Sequence, residues 1–527
     1  MYKILMTYKS QEGLERLRAN KDFSLSVATG LSPEVIKKEI ADCDALLVRS
    51  EIKVTPEIMA AAPKLKFIGR AGTGVDNIDV GEATRRGIVV TNVPSGNTIS
   101  AAEHTIGLLL ALVRNICSGN NSLKNHQWDR KKLIGTELAG KTLGIIGLGK
   151  IGREVARRLR SFEMRVLAYD PYLVRDSLGD SEIKIVGLDE LLGNSDVITL
   201  HTPFNEQTKN LINKDTISRM KDGVILINCA RGPLINEPDV LSALESGKIK
   251  GVALDVFAQE PPEDFSLIDN EKVIVTPHLA ASTAEAQIKI AREMAEMLID
   301  YFTRGIIRNA VNMPALDLAT YSEMLPYIQL SEKMGLFVSQ VIAGGIGELE
   351  MEFSGKVCDY HTSILVSGGL VGLLKTVLDI PINLVNAQAI ARERAIKFQE
   401  TRLGEARDYT NFIRMKVKSA DSVMTIAGTV FANQDLRLVE IQGRKIDLQP
   451  RGGILYLVNT DKPGILGKIG TLLGQNNINI AGLELGRDKP GGQAITLISV
   501  DSRVGNRILQ QLTEIEGIEL ARYLELG

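Results

Sequence analysis

Short apolar runs alternate with amphipathic stretches along the first part of the chain, and the two kinds differ in period. Within residues 1 to about 95, "YKILMT", "ALLVRS", "KFIGRAG" and "GIVVTNVP" are continuous enough to be buried strands. "SQEGLERLRA", "SPEVIKKEIADC" and "TPEIMAAAPK" instead have helical period. Strand and helix in alternation predict a parallel sheet wound on both faces. A longer helix is predicted from near Ser100, through "AAEHTIGLLLALVRNI". From Gly140 the alternation restarts. "KTLGIIGLGKIG", "MRVLAYD", "DVITLHTP", "GVILINCARG", "GVALDVF" and "KVIVTPH" read as further buried strands, each leading into a helix or loop. The chain therefore begins with two α/β units, the second laid out like a Rossmann fold.

The pattern changes after "RNAVNMPALDLAT", Arg308 to Thr320, which reads as a linker. Glu348 to Phe353, E-L-E-M-E-F, alternates with a period of two and predicts a strand with one buried face. "NFIRMKVK" and "LRLVEIQGRKIDL" alternate in the same way, so this region is α+β with one-sided sheets. A turn at Pro450-Arg451-Gly452-Gly453 ends it, and Ile454 to Gly527 reads strand, helix, strand, strand, helix, strand.

At about 150 residues per domain, 527 residues suggest three or four domains. A net charge of -2 gives nothing global to attract nucleic acid or an anionic membrane. No run reaches the ~18 apolar residues of a membrane span; the longest contender, Leu108 to Val113, reads as a buried helix. "MYKILMTYKS" lacks the layout of a secretion signal and reads as a first strand, so a cytoplasmic protein is expected. Cys43, Cys117, Cys229 and Cys358 have neither CxxC nor metal-ligand spacing. They are expected to be reduced and mostly buried, with no metal site.

Gly147-Leu148-Gly149-Lys150-Ile151-Gly152 fits GxGxxG, with a strand before it and the amphipathic "KIGREVARRLRSF" after it. The next strand ends in Asp170, 18 residues beyond Gly152 and near the expected spacing of about 20. Gly147 would allow the tight turn, Gly149 the approach of a pyrophosphate, and Gly152 close packing of helix on strand. The helix N-terminus supplies N–H groups to the phosphates. Asp170 would bond the adenosine ribose hydroxyls and repel a 2′-phosphate, and Pro171 rather than an arginine follows it. NAD is therefore the expected cofactor, in preference to NADP.

Three charged residues fall at or just past later strand ends: Arg231 in "NCARGPLIN", Glu260 in "DVFAQEPP" and His278 in "VTPHLAAS". In an open parallel sheet the ligand lies outside the carboxyl ends of the strands, so the three are expected to converge there. Arginine grips a carboxylate bidentately. Histidine can take a hydroxyl proton as hydride leaves, and a glutamate bonded to it fixes its tautomer. The set suits hydride transfer from a 2-hydroxy acid.

"GLGKIG…YDP", "NCARGPLINE", "LDVFAQEPP" and "VTPHLAAST" resemble the D-2-hydroxyacid dehydrogenase family. "VRSEIKVT", "RAGTGVDNID" and "NVPSGNTISAAEHT" resemble its long-form, phosphoglycerate-oxidising branch, and the likeness covers essentially the whole chain. The resemblance implies a substrate-binding domain at 1–98 and 284–310 and an NAD-binding domain at 99–283. An intervening domain follows at 318–450, and an ACT domain at 454–527. It implies NAD-dependent oxidation of D-3-phosphoglycerate to 3-phosphohydroxypyruvate, the first step toward L-serine, in a homo-oligomer expected to be a tetramer.

By the same resemblance Arg231, Glu260 and His278 are catalytic. Besides Arg231 and the glycine loop, the cofactor would touch Thr73, Lys150, Ile151, Asp170, Thr202, Cys229, Ala230 and Asp255, and the loop of His278, Leu279, Ala280 and Ala281. Leu279 stands where relatives often carry glycine, a departure that bears on room in the loop rather than on the chemistry. Arg49, Ser50, Gly72 and Asn97 would line the substrate side, with Arg49 the second cation, for the phosphate.

"LYLVNTDKPGILGKIGTLLGQNNINIAGLELG" resembles an ACT domain that binds serine between two copies, which makes Asn459, Asp461 and Asn479 the expected effector residues. Two other readings stay open: a dehydrogenase of another D-2-hydroxy acid, and an NAD-sensing corepressor-like regulator that shares the fold.

Overall fold

The computed structural model describes residues 1–9, 12–173, 183–314, 318–378, 380–404 and 409–527. Ser10 and Gln11 of the first expected helix, and 315–317 of the expected linker, lie outside the described residues.

The first sheet comprises β1 (Tyr2–Met6), β2 (Phe23–Val27), β3 (Ala45–Val48), β4 (Phe67–Arg70) and β5 (Val89–Asn92). It is parallel, in the order β2-β1-β3-β4-β5. One face packs on the long helix Ala284–Arg304, through Ile290, Met294 and Leu298 against Ile4, Met6 and Phe67. The other face buries Leu5, Leu46, Val48 and Ile68 beneath shorter helices. Burial on both faces explains why these strands are apolar runs without alternation.

The second sheet holds β6 (Thr142–Ile146), β7 (Arg165–Tyr169), β8 (Ile183–Ile185), β9 (Val197–Leu200), β10 (Val224–Asn228), β11 (Ile249–Leu254) and β12 (Val273–Val275). All pairs are parallel, in the order β12-β11-β10-β9-β6-β7-β8. The helix Thr98–Val113 lies on one face and buries Leu108, Leu109 and Val113. No single helix among the described residues is long and apolar enough to cross a membrane.

The third sheet, β13 (Ile346–Gly355), β14 (Lys397–Leu403), β15 (Asn411–Ser419), β16 (Val423–Phe431), β17 (Asp435–Ile441) and β18 (Arg444–Leu448), is mainly antiparallel and one-sided. Leu349, Met351 and Phe353 of β13 are buried. The intervening Glu348, Glu350 and Glu352 meet Lys418, Lys416 and Arg414 across the strand pair. The fourth sheet, β19 (Gly453–Thr460), β20 (Ile480–Arg487), β21 (Gln493–Val500) and β22 (Ile518–Glu525), is ordered β20-β21-β19-β22, with helices Ile465–Gln475 and Asn506–Thr513 on one face. Its other face shares the third unit's core, with Tyr456 edge-on to Phe337 at 5.7 Å.

The cysteines depart from expectation in part: Cys43 is buried and Cys117 exposed, while Cys229 and Cys358 are intermediate as residues, although the Cys229 thiol itself is enclosed. Cys117 lies on the polar helix Ile116–Lys124, which has no buried residue.

Candidate active site

Every expected site residue of the second unit follows the carboxyl end of a parallel strand, the side where open α/β sheets bind ligands. The glycine turn follows β6, Asp170 follows β7, Thr202 lies just past β9, Arg231 just past β10, Asp255 follows β11 and His278 lies past β12.

The turn after β6 is a cradle set by close approach. Gly147 has φ +96°, and a Cβ there would lie 2.7 Å from the backbone of His201. A Cβ on Gly152 would lie 2.3 Å from the Gly147 carbonyl, so helix and turn pack directly. Gly149 faces open space and begins the helix Lys150–Arg160 with no side-chain cap, which leaves its first N–H groups available to phosphate oxygens. Asp170 accepts from Leu148 N and Tyr172 N, both at 3.0 Å, and each oxygen keeps a lone pair for a ribose hydroxyl. The Thr202 hydroxyl is buried without a partner among the described residues, beside the glycine turn. An unmet buried donor, an open glycine and an uncapped helix fit a dinucleotide.

His278 has φ +54°, and its Nδ1 lies 2.7 Å from Glu260 Oε2. The other Glu260 oxygen accepts from Phe257 N at 3.1 Å. Burial alone would raise the Glu260 carboxyl, but the hydrogen bond and charge of His278, the Phe257 N–H and Arg231 together hold it below its ordinary value.

The His278 loop is tied down by Asp255. This carboxylate, expected to touch the cofactor, is wholly buried. Oδ1 accepts from Leu279 N at 2.7 Å and Thr276 Oγ1 at 2.6 Å, and Oδ2 accepts from Ala280 N at 2.9 Å. His104 Nε2 lies 3.2 Å from Oδ1. Burial opposes ionisation, and these bonds outweigh it to leave the Asp255 carboxyl below its usual range. Asp255 thus holds the loop that carries His278 rather than facing the cleft itself. The Leu279 side chain is exposed, and its N–H is held by Asp255. The Cys229 thiol, pushed up to about 12 by burial, stays protonated.

Arg231 is placed by Asn228, whose Nδ2 donates to the Arg231 carbonyl at 2.8 Å and whose Oδ1 accepts from Ala230 N at 3.0 Å. Its guanidinium crosses to the first unit. Nε donates to Asp76 Oδ2 at 2.7 Å, and the group lies so close over Gly74 that a Cβ there would overlap it. On the same wall Thr73 Oγ1 bonds Asn97 Oδ1 at 2.8 Å, Gly72 follows β4 with φ +149°, and Ser50 is exposed beside Arg49. Arg49 stacks over the Tyr8 ring at 4.6 Å. Lys150 donates to Ser95 Oγ and so bridges the two units.

Asp76, His104 and Arg70 were not anticipated. Arg70 ends β4 much as Arg49 follows β3, so the strand-end logic that selects Arg49 also selects it. Burial, with Arg231 nearby, pushes the Arg70 guanidinium down to about 10, and its Nε has no partner among the described residues.

Residues 106–280 match the NAD binding domain of D-isomer specific 2-hydroxyacid dehydrogenases. Residues 323–442 match the D-3-phosphoglycerate dehydrogenase intervening domain, and 453–517 the ACT domain. A D-3-phosphoglycerate dehydrogenase of Archaeoglobus fulgidus is 42% identical over 98% of this chain and 98% of its own length. The chain belongs to the D-3-phosphoglycerate dehydrogenase family. The Bacillus subtilis member of that family is 40% identical over the full length of both chains. Among solved structures, a D-lactate dehydrogenase from Aquifex aeolicus, complexed with NAD and lactic acid, is 31% identical with a TM-score of 0.54. It matches 59% of this chain and 100% of its own.

The residues expected to bind an effector are not gathered within one chain. Asn459 is buried, with Oδ1 accepting from Thr496 Oγ1 at 2.7 Å. Asp461 follows β19 and accepts from Arg487 Nη1 at 2.7 Å, which holds its carboxyl below the ordinary range. Asn479 precedes β20 and donates to Asp501 at 2.6 Å. Val500 pairs with both Ile480 and Gly453, whereas Thr460 pairs with Gln493, so Asn479 and Asp461 occupy opposite ends of the sheet.

Proposed function

We propose that this chain oxidises D-3-phosphoglycerate at C2 to 3-phosphohydroxypyruvate with NAD, opening a route to L-serine. The observation that carries the reading is the His278–Glu260 pair beside a dinucleotide cradle, faced by Arg231, Arg49 and Arg70. A carboxylate at one end of the substrate suits Arg231. A phosphate at the other suits Arg49 and Arg70, which a lactate-like substrate would leave uncompensated.

Arg231 binds the carboxylate through its planar fork once Asp76 yields. His278 takes the C2 hydroxyl proton on Nε2, because Nδ1 is committed to Glu260. Glu260 keeps the tautomer and stabilises the imidazolium. NAD, when bound, supplies the acceptor for the C2 hydride. Gly147, Gly149, Gly152, Asp170 and Thr202 hold it, and closure of the two units on the cleft excludes water.

Residues 1–98 with 284–310 act as the substrate-binding domain, 99–283 as the NAD-binding domain, 318–450 as the intervening domain and 454–527 as the ACT domain. Assembly into a homo-oligomer, a tetramer in this reading, is supported by the apolar side chains left exposed within 116–134, namely Ile116, Leu123, Trp128 and Ile134. β20 is an edge strand with Ile480 and Leu483 exposed. Antiparallel pairing of two copies of β20 would set Asn479 of one beside Asp461 of the other, a shared site for L-serine.

The test is substrate preference. kcat/KM for D-3-phosphoglycerate should exceed that for D-lactate by at least about a hundredfold, since each charged hydrogen bond is worth about 1.5–3 kcal/mol. Preference for D-lactate would favour another D-2-hydroxy acid, and absence of turnover with every acid tried would favour an NAD-sensing role.

A further inference from the structure

Tyr8 lies just past the carboxyl end of β1, Arg49 just past that of β3, and Arg70 ends β4. These strands are consecutive neighbours in the first sheet, so three adjacent strand ends deliver the three side chains to one wall of the cleft. The Arg49 guanidinium stacks on the Tyr8 ring at 4.6 Å. Tyr8 is only 6% exposed, and its hydroxyl has no hydrogen-bond partner among the described residues.

Buried tyrosine hydroxyls ordinarily find partners. Here Tyr321 donates to the Gly305 carbonyl at 2.9 Å, and Tyr327 accepts from Asn411 Nδ2 at 2.6 Å. The Tyr8 hydroxyl instead sits in the field of Arg49 and Arg70, where burial nonetheless pushes it up to about 12, so at neutral pH it is a donor. Arg70 Nε, close by, is a second buried donor without an acceptor. Two unmet donors and two guanidiniums on one wall call for an anion with several oxygens.

We propose that Tyr8 is a specificity-determining residue of the phosphate subsite. Its ring holds Arg49 in place, and its hydroxyl donates to a phosphate oxygen whose charge Arg49 and Arg70 neutralise. The inference rests on the reading that the substrate is a phosphorylated 2-hydroxy acid. The rival is that Tyr8 only fills the core beside Ile4, Met6 and Leu14 and its hydroxyl is idle.

Tyr8→Phe separates the two, because it keeps the ring and the cation–π contact and removes only the O–H. In the full-length enzyme the ratio of kcat/KM for D-3-phosphoglycerate to that for D-glycerate should fall about tenfold, mostly through KM for the phosphorylated substrate. Inorganic phosphate should compete with D-3-phosphoglycerate in the unsubstituted enzyme, and about tenfold less well in Tyr8→Phe. Tm should stay level or rise, since a desolvated hydroxyl has been removed. Tyr8→Leu, which also removes the support of Arg49, should lower the ratio further. A ratio and a phosphate inhibition constant within about twofold of the unsubstituted enzyme, or an equal loss on both substrates, would overturn the proposal. If the unsubstituted enzyme shows no preference for the phosphorylated acid, the functional reading fails and the inference with it. If the preference is present and Tyr8→Phe leaves it intact, the inference alone fails.

Discussion

Arg231 and Asp76 meet across the cleft, Nε to Oδ2 at 2.7 Å, so the arginine assigned to the substrate carboxylate already holds a carboxylate. Asp76 belongs to the loop after β4, and Arg231 to the turn after β10, so the ion pair joins the two α/β units. If Arg231 binds the substrate carboxylate as proposed, substrate and Asp76 would compete for the guanidinium. Because Asp76 is half exposed, the pair is worth at most about 1 kcal/mol.

Asp76→Asn should therefore lower KM for D-3-phosphoglycerate by up to about fivefold, a modest gain that matches a partly solvated ion pair. Steady-state kinetics at fixed saturating NAD reads this directly. A higher KM would mean that Asp76 positions Arg231 for the substrate instead of competing with it.

Asp170→Ala removes the carboxylate that receives Leu148 N and Tyr172 N and would receive the ribose hydroxyls. NAD affinity should fall about ten- to a hundredfold, and the margin over NADP should narrow, since the anion that repels a 2′-phosphate is gone. Isothermal titration with each dinucleotide gives both numbers. Unchanged NAD affinity would show that Asp170 serves only the turn.

Asp255→Asn tests the loop anchor. An amide replaces one acceptor oxygen with a donor, so the N–H of Leu279 or of Ala280 loses its partner, at a cost of about 1–3 kcal/mol. kcat should fall while the rest of the fold stays intact. The folded-state carboxyl is held below its unfolded value, so its stabilisation is full above the ordinary Asp pKa of about 4 and is lost as pH falls through the lower folded value. The acid limb of thermal stability should therefore be shallower in Asp255→Asn. An identical acid profile in the two proteins would contradict the role given to Asp255.

Buried parallel strands were legible because both faces are covered: all five residues of Val224–Asn228 are buried, and the run is almost wholly apolar. The edge strand Phe23–Val27 was not, since "FSLSV" alternates serine with apolar residues and its last two positions face solvent. β8, three residues at the far edge of its sheet, gave too short a pattern to read. The placement of the glycine loop, Asp170, Arg231, Glu260 and His278 past strand ends was legible because each follows an apolar strand run in the sequence. The partners of Arg231 and Asp255 were not, because Asp76 and His104 are brought to them only by the packing of one unit or helix on another. The motif around Asp461 and Asn479 named residues but not their separation, which depends on the register of β19 and β20 against β21.

Whether His278 is the base, with Glu260 its orienting partner, is decided by NADH formation on mixing the enzyme with NAD and D-3-phosphoglycerate, for the unsubstituted chain and for His278→Ala, with NAD affinity measured on both. The unsubstituted enzyme should form NADH. In His278→Ala kcat should be lower by about 10²–10⁴, with NAD affinity little changed. Turnover in His278→Ala close to that of the unsubstituted enzyme would rule His278 out as the base.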